Sequence, residues 1–335
     1  MKFGVFDHID ANGLGVEAQY AHRLALAERY EALGFHCYHL AEHHATRLGM
    51  APSPGLFLAA LAQRTTTLRF GPLVYLLPLY HPVRLLEEIA MLDRMSGGRL
   101  QLGIGKGGQP AEHGRFGVPA DELEARFEEC FEILMKGFAG ETLAHDGRFF
   151  RIPDTPQLLK PLQQPHPPLW YGTGNPERAD WAARYGMSLV CNLPDARTRV
   201  IADAFAEALE RHGRAGEGRP FMGVARQLVV APTDAEAERI AGRAWIAFAH
   251  NFNWLVNWLG RPAFPLPGTF EGAQAAGMAF AGSPASVRDW VAATRHAAGI
   301  DYLLIEPVFG DMVHEEALAS IALFGGEVMP VFAEQ

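Results

Sequence analysis

This chain is poor in cysteine, in positive charge and in long apolar runs, and each shortage excludes something. Three cysteines occur among 335 residues, Cys37, Cys130 and Cys191, with no C-x-x-C pair. A disulfide framework needs paired spacing, so the setting read from them is a reducing cytoplasm. Lys and Arg number 29 against 38 Asp and Glu, a formal net charge of −9. A polyanion binder needs the opposite sign, so no nucleic-acid partner is expected. No run approaches the roughly 20 apolar residues that span a bilayer, and Met1-Lys2-Phe3-Gly4-Val5-Phe6 leads straight into a strand, without a secretory leader. No membrane association is expected. What remains is 49% apolar and 20% charged residues, a globular composition.

Eight short apolar runs read as strands: residues 3–6, 37–40, 68–74, 100–104, 169–171, 189–191, 222–230 and 302–305. Several are apolar throughout, as parallel strands covered by helices are. Helical spacing fills the gaps. Tyr20, Leu24, Ala27 and Tyr30 share a face that stops at Gly34, and Pro82 opens a helix through Leu85, Ile89 and Leu92. Phe127, Phe131, Leu134 and Phe138 repeat the pattern. The stripe Trp245, Phe248, Phe252, Leu255 and Leu259 reads as core or lid packing.

Eight βα units favour a closed (β/α)8 TIM barrel, in one α/β domain over residues 1–335. Two segments break the repeat and read as insertions after strands 4 and 7. Residues 141–168 are Pro-rich, with Asp146-Gly147 placed to turn a hairpin. Residues 260–284 have no period and fit a lid or a mobile segment.

Three clusters carry chemistry. Glu42-His43-His44 ends an apolar strand, where barrels keep catalytic groups. A histidine there donates a hydrogen bond or moves a proton near neutral pH; a solvated loop pair fits the same residues. Adjacent residues rarely converge on one ion, so no metal site is assigned. Leu102-Gly103-Ile104-Gly105-Lys106-Gly107-Gly108 is a glycine-rich strand exit with one cation. It is no P-loop, since glycine follows the lysine in place of Ser or Thr. Leu169-Trp170-Tyr171-Gly172-Thr173-Gly174-Asn175-Pro176-Glu177-Arg178 ends a strand in two glycines, with Asn175 to cap and Pro176 to open a helix. Its amides, Thr173, Asn175 and Arg178 make a candidate phosphate cradle, and plain helix capping is the alternative.

With these blocks goes a resemblance. Met1-Lys2-Phe3-Gly4, Ala41-Glu42-His43-His44, Leu76-Leu77-Pro78-Leu79-Tyr80-His81-Pro82-Val83-Arg84 and Leu92-Asp93-Arg94-Met95-Ser96-Gly97-Gly98-Arg99 together resemble the bacterial luciferase-like flavin monooxygenase family, a (β/α)8 fold. The resemblance implies an FMNH2-dependent monooxygenase that uses O2 on a small organic substrate, with reduced FMN supplied by a separate flavin reductase. It implies His43 as the active-site histidine and a cis Leu73-Val74 peptide against the flavin ring. Gly105 stands where luciferases have a cysteine, and Lys106 replaces the family's phosphate-binding arginine. Gly172, Thr173, Gly174, Asn175 and Arg178 fall on the phosphate turn. Phe6, His8, Glu42, His44 and Tyr75 are candidates for the substrate pocket. A homodimer through helices near 54–64 and 82–94 is implied as well. Three rivals stand beside this reading: a deazaflavin (F420)-dependent hydride-transfer oxidoreductase, a metal-dependent barrel hydrolase using His8, His43 and His44, and a non-catalytic flavin-binding protein, against which the Glu42-His43-His44 cluster argues.

Overall fold

A computed structural model describes residues 1–332. In chain order the elements begin β1 (Lys2–Asp7), α1 (Val16–Leu33), β2 (Cys37–Leu40), α2 (Pro54–Arg64), β3 (Arg69–Pro72), β4 (Tyr75–Leu76) and α3 (Pro82–Met95). They continue with β5 (Leu102–Gly105), α4 (Pro110–Arg115), α5 (Leu123–Ala139), β6 (Thr142–Asp146), β7 (Arg151–Pro156), β8 (Leu169–Gly172) and α6 (Glu177–Arg184). Then come β9 (Ser188–Cys191), α7 (Asp195–Arg211), β10 (Met222–Val230), α8 (Asp234–Trp258), α9 (Phe270–Ala275) and β11 (Ala279–Gly282). The chain finishes with α10 (Pro284–Ala298), β12 (Tyr302–Glu306), α11 (His314–Leu323) and α12 (Met329–Phe332).

Hydrogen bonding runs β3-β2-β1-β12-β10-β9-β8-β5-β4, all in parallel. β3 and β4 are halves of one stave. The ring therefore closes across Leu73 and Val74, whose peptide is cis. Closure brings two backbones close together. A Cβ on Gly71 would overlap the Gln101 carbonyl oxygen, and one on Gly103 would overlap that of Pro72. The eight expected staves are present, with the third broken at its middle.

Both insertions fall where the repeat broke. β6 and β7 form an antiparallel hairpin after the fourth stave. Residues 260–284 follow the seventh stave but are not wholly irregular: they hold α9 and β11, which pairs in parallel with β10. Ala279-Phe280-Ala281-Gly282 is short and small-sided, so no strand signal rose above its Gly/Ala-rich surroundings.

Period-2 alternation sorts each stave into an outer and an inner face. The inner core holds Leu73, Trp170, Val190, Tyr302 and Leu304, with Phe6, Val74 and Ala225 packed on it. Two residues beyond those inner positions, the same faces deliver His8, Gln227 and Glu306 to the rim. Register helps, because Gln227 sits directly opposite Glu306.

Candidate active site

Two cavities adjoin where the strands end at their C-terminal tips, sharing Phe6, Asn192 and Ala225. The first, about 280 Å³, has Leu73 and Val74 on one wall and Gly172, Thr173 and Gly174 on another. Its floor is the top layer of the barrel core. The second, about 340 Å³, is walled by Phe248 and Phe252 of α8 and by Phe264 and Leu266 of the following loop. That loop is clamped to α8. Asn253 exchanges hydrogen bonds with the backbone of Phe264, at 2.8 and 3.2 Å, and Trp245 Nε1 donates to the Pro267 carbonyl at 2.9 Å. The α8 stripe thus divides: Trp245 is core, while Phe248 and Phe252 face the chamber.

Two histidine–carboxylate pairs reach the second chamber. His43 follows β2, and its Nδ1 lies 2.9 Å from Oε1 of Glu112 on α4. The other Glu112 oxygen accepts from the His44 amide at 3.3 Å. A carboxylate accepts, so Nδ1 of His43 carries the proton and Nε2 is the nitrogen left for a ligand. His8 follows β1 and pairs through Nδ1 with Glu306 Oε1 at 2.5 Å; the second Glu306 oxygen accepts from Gln227 Nε2 at 2.5 Å. Burial works against the charged His8 imidazole, but the Glu306 carboxylate outweighs it and the pKa is raised.

The phosphate-side residues form a separate charged group. Lys106 Nζ donates to Glu124 Oε2 at 2.6 Å, and Arg178 closes on the other oxygen of the same carboxylate. Thr173 Oγ1 accepts from the Asn175 amide at 3.1 Å, and Asn175 Oδ1 from the Glu177 amide at 3.0 Å. Those two side chains brace their own turn, so the charge for an anion comes from Lys106 and Arg178. A planar wall, a glycine-lined turn and two cations fit a phosphorylated flavin.

The luciferase-like monooxygenase family model matches residues 1–302. The chain belongs to that family. Uncharacterized protein y4wF of Sinorhizobium fredii (strain NBRC 101917 / NGR234) is 42% identical over 330 residues, covering 98% of this chain and 96% of its own. The oxygenase component of the flavin-dependent trigonelline monooxygenase of Acinetobacter baylyi (strain ATCC 33305 / BD413 / ADP1) is 28% identical over 264 residues, or 77% of this chain and 72% of that protein. The monooxygenase RslO1 from Streptomyces bottropensis superimposes with a TM-score of 0.90 at 27% identity, covering 99% of this chain and 100% of that one.

Within this luciferase-like frame the sequence candidates separate. Phe6, His8 and His43 line the second chamber, and Leu73, Val74, Gly172, Thr173 and Gly174 line the first. Glu42, His44 and Tyr75 line neither. Glu42 is buried, binding His44 Nε2 at 2.8 Å, the Leu76 amide at 3.1 Å and the Tyr80 hydroxyl at 3.0 Å. Burial pushes its carboxyl up against those three bonds. Tyr75 is core, donating to Glu88 of α3 at 3.0 Å. Glu42 and His44 brace the loop that presents His43, while Tyr75 meets Tyr80 edge-on. Gly105 packs under Val74: a Cβ there would lie 2.5 Å from Val74 Cγ2.

Sequence reasoning missed Glu112, Glu306, Gln227, Gln109 and Glu124. Glu306 had a signal, a lone carboxylate closing the apolar strand Tyr302-Leu303-Leu304-Ile305. Gln109 and Glu112 sit on the short segment after β5, while Gln227 on β10 and Glu124 on the first turn of α5 lie on long elements whose convergence on the site needs the fold. Among the described residues, no group of three or more His, Cys, Asp or Glu is arranged to hold a metal ion. His8, His43 and His44 each bind a different carboxylate, which leaves the hydrolase reading without a ligand set.

Proposed function

We propose that this chain is the oxygenating component of a two-component flavin monooxygenase. It takes reduced FMN from a separate reductase and inserts one oxygen atom of O2 into a small organic substrate. The observation that carries this reading is the junction of the two cavities in a luciferase-like chain. A Leu73–Val74 wall suited to a flat ring opens directly onto the chamber that holds the His43–Glu112 pair. Reduced FMN, when bound, supplies the electrons that activate O2.

The residues do the rest. Lys106 and Arg178 hold the phosphate, with the Gly172–Gly174 turn close enough for backbone contact. Leu73 and Val74 set the plane of the ring. His43 Nε2 gives or takes a proton at the reacting oxygen, and Glu112 fixes its tautomer. Phe248, Phe252, Phe264 and Leu266 exclude water. The chain works as one catalytic domain in the cytoplasm. It pairs as a homodimer over α2 and α3, where Leu56, Met91 and Met95 are exposed.

The test is a titration of the pure protein with FMN, reduced FMN and the deazaflavin, followed by turnover with photoreduced FMN under 18O2. Tight binding of reduced FMN and one labelled oxygen in the product support the reading. Preference for the deazaflavin, with hydride transfer and no label, sinks it. Sedimentation of Met91→Glu tests the dimer face; an unchanged dimer refutes it.

A further inference from the structure

The His8–Glu306–Gln227 array is a second proton-handling group, and the His43 assignment leaves it without a task. Its ring nitrogens are not equivalent. Nδ1 is committed to Glu306 at 2.5 Å, and Gln227 ties down the other Glu306 oxygen. Nε2 is the nitrogen that remains, on a ring that lines the second chamber. Gln109 lines the same chamber, is 7% exposed, and its Oε1 has no partner among the described residues. A buried carbonyl left unpaired is destabilising, so the chamber calls for a ligand carrying a hydrogen-bond donor.

The rest of the lining narrows the class. Phe6 meets the His8 ring edge-on at 4.8 Å, Phe248 lies 5.9 Å from it, and Phe252 meets Phe264 at 5.7 Å. Rings so arranged favour a flat aromatic guest. The chamber's cation, Arg226, is buried and paired with Asp195 at 2.8 Å, and it also donates to the carbonyls of Leu193 and Ala225. His8 is matched by Glu306. Each cationic group of the described lining already has a carboxylate partner, which favours a neutral guest over a carboxylate or sulfonate. A volume of about 340 Å³ suits one or two rings. An alkane, aldehyde or ketone would give neither Gln109 nor His8 a donor.

We propose that the second chamber binds a neutral phenol, and that His8 Nε2 takes its hydroxyl proton. In that step the phenol O–H bond breaks and its electron pair stays on oxygen. A new N–H bond forms on the imidazole, and Glu306 stabilises the resulting imidazolium. The phenolate is the electron-rich form that an electrophilic oxygen donor attacks. The substrate class deepens the monooxygenase reading and rests on it for the reaction that follows, but the proton transfer needs no flavin. The charged and titratable groups facing His8 are Glu306 from β12, His43 from the β2 exit, and Asp7 and Asp10 on its own segment.

The test uses flavin-free protein and 4-nitrophenol, whose phenolate form is coloured. Bound probe should titrate about one pH unit or more below free probe, a tenfold gain in the phenolate ratio. Glu306→Gln and His8→Asn should each remove the shift while probe still binds, with melting curves confirming the fold. Failure of 4-nitrophenol to bind overturns the proposal, as does binding without a shift. A shift that survives both variants overturns it too. So does a shift lost in His43→Asn and kept in His8→Asn. FMN is titrated separately. A protein that binds no flavin but shifts the phenol would sink the monooxygenase reading and leave this site standing.

Discussion

The imidazole rings of His8 and His43 stack with centroids 5.5 Å apart and planes 24° from parallel, yet each is held by its own carboxylate. The pairs come from opposite sources. Glu306 lies on the barrel wall at the tip of β12, whereas Glu112 reaches in from the short helix after β5. The proposal gives the two bases different tasks, His43 at the cofactor and His8 at the substrate, and rings this close feel each other's charge.

His43→Ala should lower kcat by about 10²–10⁴-fold, the usual range for a lost proton-transfer group, while reduced FMN binds as before. Glu112→Gln should cost less, about tenfold, because the histidine stays in place without its oriented tautomer. Stopped-flow turnover and flavin titration separate the two effects. Unchanged turnover in His43→Ala would remove it from the mechanism.

Glu124 sits between Lys106 and Arg178 and competes for both cations. A phosphate must displace it or share them. Glu124→Gln should thus tighten FMN binding severalfold, and Lys106→Ala or Arg178→Ala should weaken it about tenfold or more. The effects should shrink with added salt, since Lys106 is half exposed. Equal affinity in all three variants would place the phosphate elsewhere.

Much of the frame was legible because parallel staves announce themselves. Runs such as Tyr302-Leu303-Leu304-Ile305 are buried on both faces and read as continuous apolar segments. That Phe6, His8 and His43 meet in one chamber was legible because strand exits of a barrel face one mouth. Tyr75 misled for a local reason: next to the broken stave the alternation restarts, and its ring turns outward to Glu88. Glu42 and His44 misled because consecutive residues at a loop point different ways, so one of three reaches the chamber. Glu112 was illegible. Its place depends on the bend of Gly107-Gly108, and no period links it to His43, 69 positions away.

Gly105→Ala should loosen the cofactor cavity. The added methyl would meet Val74 Cγ2, and Val74 forms the wall on which the ring is proposed to lie. Overpacking of this kind costs about 1–3 kcal/mol, and here the strain falls on the flavin wall. FMN affinity should fall about tenfold with a small loss in melting temperature. A Gly105→Ala protein that binds FMN normally would show that Val74 does not contact the ring.

Asp10 offers a stability test apart from catalysis. Burial pushes its carboxyl up from 3.8 to about 7, against hydrogen bonds from Asn251 at 3.0 Å and the Gly310 amide at 2.9 Å. A raised folded-state pKa means that its stabilising contribution is complete below about 4 and is lost as pH rises to about 7. Asp10→Asn keeps the shape and cannot ionise. Other groups bend the wild-type curve: burial lowers His36 to about 4 and His39 to about 3, so both cost stability as pH falls below about 6.5. They are common to both proteins and cancel in the difference. The Asn variant should gain on wild type as pH rises from about 4 to 7, by on the order of 4 kcal/mol at most, and the gap should be flat below that window; above it the gap also carries the change at His8, whose charged form the Asp10 carboxylate favours. Urea unfolding of both proteins across that range measures it. A gap that does not change with pH would mean that Asp10 ionises normally in the folded chain.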